Sequence, residues 1–125
     1  MRHRIKGRKL KRPTPHRLLL LRGLACDLIL HGKVETTLAK AKELRRFIEK
    51  LITKVRKFDQ NNTKSPQSIN AVRVAISKLQ NKQAVKKLIY EIAPRYKNAN
   101  GGYTRIIKTR NRKGDNAQLA IITFV

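Results

Sequence analysis

Between Leu38 and Lys57 apolar residues return at steps of three and four: Ala41, Leu44, Ile48, Leu51 and Val55. At 3.6 residues per turn these positions share one face, which predicts one long amphipathic helix with that stripe buried. Thr36 or Thr37 is placed to cap it, and Val34 to Thr36 just ahead read as a short strand. An earlier helix is predicted from Pro15 to about His31, with Leu18, Leu21, Ala25 and Leu28 on one face and Leu20, Leu24 and Ile29 widening it. Thr14 is its expected N-cap, Pro15 its first residue and Gly32 the residue that ends it. After the polar, turn-rich stretch Phe58 to Pro66, Ser65-Pro66 opens a third helix with Ile69, Val72, Ile76 and Leu79 inward. Asn81 or its neighbour starts a fourth, with Val85, Leu88, Ile89 and Ile92 inward, halted at Ala93 by Pro94.

Past Pro94 the period changes. Tyr103 to Lys108 and Gln118 to Val125 are β-branched and aromatic, and a turn around Gly114-Asp115 joins them as an antiparallel hairpin. The order is helix, strand, three helices, two strands, without an internal repeat. That predicts an α+β fold of two layers, the helices packed on a small three-stranded sheet. One globular domain is expected over 14–125, preceded by an extended basic arm over 1–13.

The polar positions change the picture, because most of them are cationic. The 125 residues carry 31 Lys and Arg against 7 Asp and Glu, a formal net charge of +24. Self-repulsion at that density opposes a compact state, so a neutralising polyanion is expected to belong to the protein's normal condition. On the long helix Lys42, Arg46, Lys50 and Lys54 run down a second stripe at steps of four, with Glu43 and Glu49 as the helix's two acids. Such a stripe is usually a solvated face, but this composition favours a nucleic acid against it. The arm adds Arg2, Arg4, Lys6, Arg8, Lys9, Lys11 and Arg12, seven cations with no acid among them, suited to lying along phosphates. Arg110, Arg112 and Lys113 gather at the hairpin tip, a protruding finger that could brace an RNA backbone. Arg95, Tyr96 and Lys97 precede Gly101-Gly102-Tyr103, where two readings stay open: a close backbone approach to a ligand, or a tight turn into a strand.

Catalysis finds little support. His3, His16 and His31 have no carboxylate or thiolate at metal-ligand spacing, and the acids are few and scattered. Walker, dinucleotide and nucleophile-elbow patterns are absent, so neither enzyme activity, metal, cofactor nor small-molecule substrate is expected. Three Tyr, three Phe and no Trp are too few for a base-stacking platform, which points to recognition by shape and phosphate. The one cysteine, Cys26, sits among Leu24, Leu28 and Ile29 as a small core residue and excludes an internal disulfide. The longest apolar run, Leu18 to Leu21, is too short to span a membrane, so a cytoplasmic protein is expected. A nucleoid-type DNA binder or a nucleic-acid enzyme would share the charge. The first would usually carry a groove-reading helix or dimer interface, and the second converging acids.

Three separated blocks resemble ribosomal protein seventeen of the bacterial large subunit, in that family's order. They are Met1-Arg2-His3 with Gly7-Arg8, Leu10, Arg12 and His16-Arg17; then Thr36-Thr37, Lys40 to Arg45, Glu49 and Leu51-Ile52-Thr53; then Gly101 to Ile106 and Gly114 to Ala117. Departures are Val34 in place of isoleucine, Pro13-Thr14-Pro15 in place of polar residues, and a longer connection at Lys57 to Ser68. The resemblance implies an α+β fold and a structural role on large-subunit ribosomal RNA near the polypeptide exit tunnel. It also implies neighbouring ribosomal proteins, numbers twenty-two and thirty-two among them, as partners. With it His3, His16, Arg17, Lys40, Tyr103 and Arg105 join the arm cations, the helix stripe, Arg95 and the hairpin-tip cations as candidate RNA contacts.

The charge imbalance makes a direct prediction: the isolated protein gains stability from salt or polyanions, because +24 is otherwise opposed by the core alone. Thermal melts with and without added phosphate measure this, and an unchanged midpoint would show self-repulsion to be unimportant.

Overall fold

The structure, a computed structural model, describes His3 and residues 6–125. Four helices lie against one antiparallel sheet: α1 (Thr14–His31), β1 (Lys33–Thr37), α2 (Leu38–Val55), α3 (Pro66–Leu79), α4 (Lys82–Lys87), β2 (Thr104–Asn111) and β3 (Gln118–Phe124). This is the α+β order that the hydrophobic pattern predicts. The sheet order is β1-β3-β2, with Thr36 beside Ala120 and Ile106 beside Ile122, so the closing hairpin is completed by the strand that precedes α2.

α2 is the centre of the packing. Ala41, Leu44, Ile48, Leu51 and Val55 are buried as their spacing requires, and Ile52 joins them. Thr37 occupies the N-cap position but its hydroxyl makes no capping bond. On α1 the cap is displaced by one residue: Pro13 is the N-cap, and Thr14 Oγ1 accepts from Arg17 Nη2 at 3.3 Å instead of from a first-turn amide. Gly32 ends α1 in the left-handed conformation, φ 81°, its amide donating to Leu28 O. The face of α1 is narrower at its start than the pattern implies, for Leu18 and Leu19 are exposed and burial begins at Leu21. Cys26 lies in the core with Sγ directed at Leu79 O, and burial pushes its thiol pKa up.

α3 corrects the sequence reading. Ala71, Ala75 and Leu79 face inward with Ser68, whereas Ile69 and Ile76 are 39% and 53% exposed and Val72 is half-buried. Small side chains on the inner face let α3 come close to α2, and a buried hydroxyl fixes the rotation. Ser68 Oγ donates to Asn62 O at 2.9 Å and accepts from the Asp59 amide at 3.0 Å, while Ser65 caps the helix by accepting from the Ser68 amide. Turning Ile69 and Ile76 inward would strip a fully buried hydroxyl of these partners, which costs more than burying one aliphatic side chain returns. The connection from Phe58 to Pro66 is therefore a structured element, held also by Phe58 edge-on to Tyr90 with ring centres 5.6 Å apart.

Asn81 caps α4, accepting from the Ala84 amide at 3.1 Å. Val85, Leu88, Ile89 and Ile92 are buried as predicted, but the backbone widens into a π turn at Leu88–Ile92 and then tightens into a 3-10 turn at Ala93–Tyr96 containing Pro94. The wide register hands the Ala93 amide to Leu88 O just before the proline, which has no amide to donate.

Two substitutions separate the two helix faces. Leu44→Ala removes side-chain volume from the fully buried stripe and is expected to cost about 2 to 5 kcal/mol. Ile76→Ala, on the open face of α3, is expected to stay within about 0.5 kcal/mol of the parent. Urea unfolding measures both, and equal losses would mean that the rotation of α3 is wrong.

Candidate nucleic-acid interface

α2 carries the centre of the candidate interface. Lys42, Arg46, Lys50 and Lys54 are all exposed along one edge. Arg46 stands 3.7 Å from Glu43, and Arg45, beside the stripe, 3.6 Å from Glu49. Among the described residues no carboxylate lies within ion-pair distance of Lys42, Lys50 or Lys54. From Lys42 to Lys54 the stripe is about 18 Å long at 1.5 Å per residue, so it covers more than one phosphate spacing. Lys40 is half-buried on the helix's first turn.

The arm meets the start of this stripe. Gly7, at φ 95°, passes so close to α2 that a Cβ there would stand 3.2 Å from Glu43 Oε2 and 4.0 Å from Arg46 Nη1. The backbone angle is what favours glycine here, since the flexible Glu43 carboxylate would need to give only a few tenths of an ångström. The chain then turns, the Arg12 amide donating to Lys9 O at 3.1 Å, and enters α1. Lys6, Arg8, Lys9, Arg12 and Arg17 thereby line one cleft of about 360 Å³ whose single acid is Glu43. Lys11, His3 and His16 are exposed outside it. Arg2 and Arg4 lie outside the described residues.

At the other end of α2 a second recess, about 400 Å³, joins Lys50 and Lys54 to Asn100 and Gly101. Here the structure corrects one candidate. Tyr103 is 1% exposed, its hydroxyl 3.1 Å from Thr53 Oγ1 and its ring edge-on to Tyr96, so it is a core residue and offers RNA no ring face. Its aromatic neighbour and the glycines carried the signal for a turn: Gly101 and Gly102 have φ 142° and 65°, which the entry into β2 requires. Arg95 and Arg105 are exposed.

The hairpin tip is also corrected. Arg110 is in strand β2, beside a bulge that sets Thr109 and Arg110 against Leu119 alone, and its guanidinium reaches Glu35 at 3.4 Å. Arg112 clasps Asp115 through two bonds of 2.6 and 2.9 Å, so ordinary turn chemistry explains it as well as Gly114-Asp115. Lys113 is the one cation of the three without a carboxylate partner among the described residues. The register places Leu119 beside Thr37, so the tip extends from the sheet end at which α2 starts, the same end that the arm approaches. The arm, the start of the stripe and the tip thus gather towards one end of the sheet.

Sequence reasoning missed the residues that hold this surface in shape. Glu49 Oε1 accepts from both the amide and the hydroxyl of Thr104, at 3.3 and 2.9 Å, tying α2 to β2. Arg56 reaches Ala99 O and Asn100 ahead of the glycine turn. An acid in a cationic helix is the signal that could have marked Glu49; Arg56 gave none. No group of three His, Cys, Asp or Glu among the described residues could hold a metal ion.

The clasp at the tip predicts a pH response. Hydrogen bonding to Arg112 and to the Ala117 amide holds the Asp115 carboxyl down at about 2. A folded value below the unfolded one means that the clasp is complete above the ordinary aspartate range, near about 3.9, and is lost as pH falls through about 2. Carboxyl NMR titration checks this, with Arg112→Ala expected to return Asp115 towards the ordinary value.

Known proteins share this sequence along its length. A family model described as ribosomal protein L17 matches residues 20–125. The large ribosomal subunit protein bL17 of Campylobacter lari is 52% identical over 125 residues, covering all of this chain and 99% of the relative. That of Nautilia profundicola is 52% identical over 129 residues, covering all of this chain and 98% of the relative. Identity at that level over full length carries the fold with it, and the chain belongs to the ribosomal protein L17 family.

Proposed function

We propose that this protein is a non-catalytic structural constituent of the bacterial large ribosomal subunit, in the cytoplasm, where it binds large-subunit ribosomal RNA. The observation that carries this is the row of exposed cations on α2, Lys42, Arg46, Lys50 and Lys54, with the cationic arm cleft at its start. Its length and relief suit the phosphates of a folded RNA, and among the described residues it lacks exposed aromatic rings on which single-stranded bases could stack. The name of the relatives, large ribosomal subunit protein, supports the same reading. Arg110 exchanges a weak, partly exposed carboxylate partner for phosphate on binding, whereas Arg46 and Arg112 offer the RNA whatever donors their pairs with Glu43 and Asp115 leave free. Lys42, Lys50, Lys54 and Lys113 have no carboxylate among the described residues to give up. In this reading residues 1–13 are the RNA-binding arm, 14–125 are the domain that carries it, and the site lies near the polypeptide exit tunnel beside ribosomal proteins twenty-two and thirty-two.

Sedimentation of extract from cells expressing a tagged chain tests the assignment. Co-migration with the large subunit that persists at moderate salt is expected, and a chain that stays at the top of the gradient would overturn it. Deleting residues 2–12 separates binding from folding. Every phosphate that the shortened protein no longer neutralises lowers the slope of log affinity against log salt by about 0.7 to 0.9, so removing seven cations is expected to lower it by several units. The circular dichroism spectrum and melting point stay close to those of the full chain, because the arm contributes little apolar area.

A further inference from the structure

The side of α3 that turns away from α2 leaves an apolar groove against α4. Val72 and Ile76 form one wall, Val85 and Ile89 the floor and Tyr90 the far end, enclosing about 470 Å³. Ile76 is 53% and Tyr90 50% exposed, and Ile69 extends the same row by one turn of α3. Isolated exposed aliphatics are ordinary, but a row at steps of three and four beside an open groove is the form that receives another helix. None of these residues belongs to the cationic side: on α3 it is Val74 and Lys78 that border Lys50 and Lys54 of α2.

The rim decides what kind of helix. Lys82 and Lys86 line the groove one turn apart on a six-residue helix, both exposed, and among the described residues neither has a carboxylate within ion-pair distance. Like charges at this spacing weaken a helix, and carboxylates placed between them would relieve it. An apolar floor gives phosphates nothing, which argues against RNA. A second copy would bring another +24 to the contact, which argues against a dimer. We propose that the groove between α3 and α4 is a docking site for an amphipathic helix of another protein, its apolar side chains taken by Val72, Ile76, Ile89 and Tyr90 and its flanking carboxylates by Lys82 and Lys86.

The probe is a synthetic fluorescent helix with leucines at steps of three and four between glutamates, titrated with the full chain at physiological salt. A control peptide keeps the glutamates and replaces leucine by serine. The leucine peptide is expected to bind at least about tenfold more tightly than the control, and Ile76→Lys or the pair Lys82→Glu and Lys86→Glu to remove that advantage. Ile76 is exposed, so its variant is expected to melt with the parent, and the lysine pair gives a second route should it not. Equal binding of both peptides, or an unchanged affinity in Ile76→Lys, overturns the proposal. So does self-association in sedimentation equilibrium that Ile76→Lys abolishes, which would make the occupant a second copy. So does photocrosslinking of a probe at position 76 to RNA in purified large subunits. Co-migration in the gradient reads the cationic side and not this groove, so the two readings fail separately.

Discussion

α2 has to be buried along one stripe and bare along another, and the rest of the chain is arranged to allow both. It touches α1, α3, all three strands and the π and 3-10 turns, so Leu44, Ile48, Ile52 and Val55 hold the layers together from a single helix. The elements that cover the stripe stop short of the edge carrying Lys42, Arg46, Lys50 and Lys54. A core so concentrated explains how a small domain stays folded against its own charge: the apolar contacts are central and the repelling groups peripheral.

Not every cation faces outward for a partner. Lys87 Nζ donates to Leu30 O at 2.9 Å near the end of α1, and Arg22 Nε donates to Lys78 O at 3.0 Å near the end of α3. Arg56 does the same service for the segment after the 3-10 turn. Carbonyl oxygens at helix ends carry partial negative charge, so they attract cations in place of the side-chain acids that this chain has in short supply. Basic residues therefore divide into those that satisfy the backbone and those that stay available, a division composition cannot reveal.

Much of this was legible because the responsible force acts within one element. The stripe of α2, the stop at Gly32 and the caps at Ser65 and Asn81 follow from spacing or from one residue's chemistry. What was illegible depended on partners distant in sequence. Two faces of α3 satisfy a helical period, one of isoleucines and one of alanines, and the choice fell to Ser68 through its bonds to residues 59–65. Tyr103 looked like a ligand-facing aromatic until Thr53, fifty residues earlier, was brought beneath its hydroxyl. Arg110 looked free until the sheet order placed Glu35 within reach.

Glu49 gives the cationic side a property beyond charge. Its carboxylate accepts twice from Thr104 while Arg45 stands 3.6 Å away, so drawing the arginine off leaves the helix still fastened to the sheet. A polyanion then meets a surface whose lysines are already spaced by a fixed helix and whose angle to the hairpin is already set. Little backbone ordering is left for the moment of contact, and more of the electrostatic attraction survives as affinity. Rigidity at this one joint gives a densely charged protein the character of a template, set before any partner arrives.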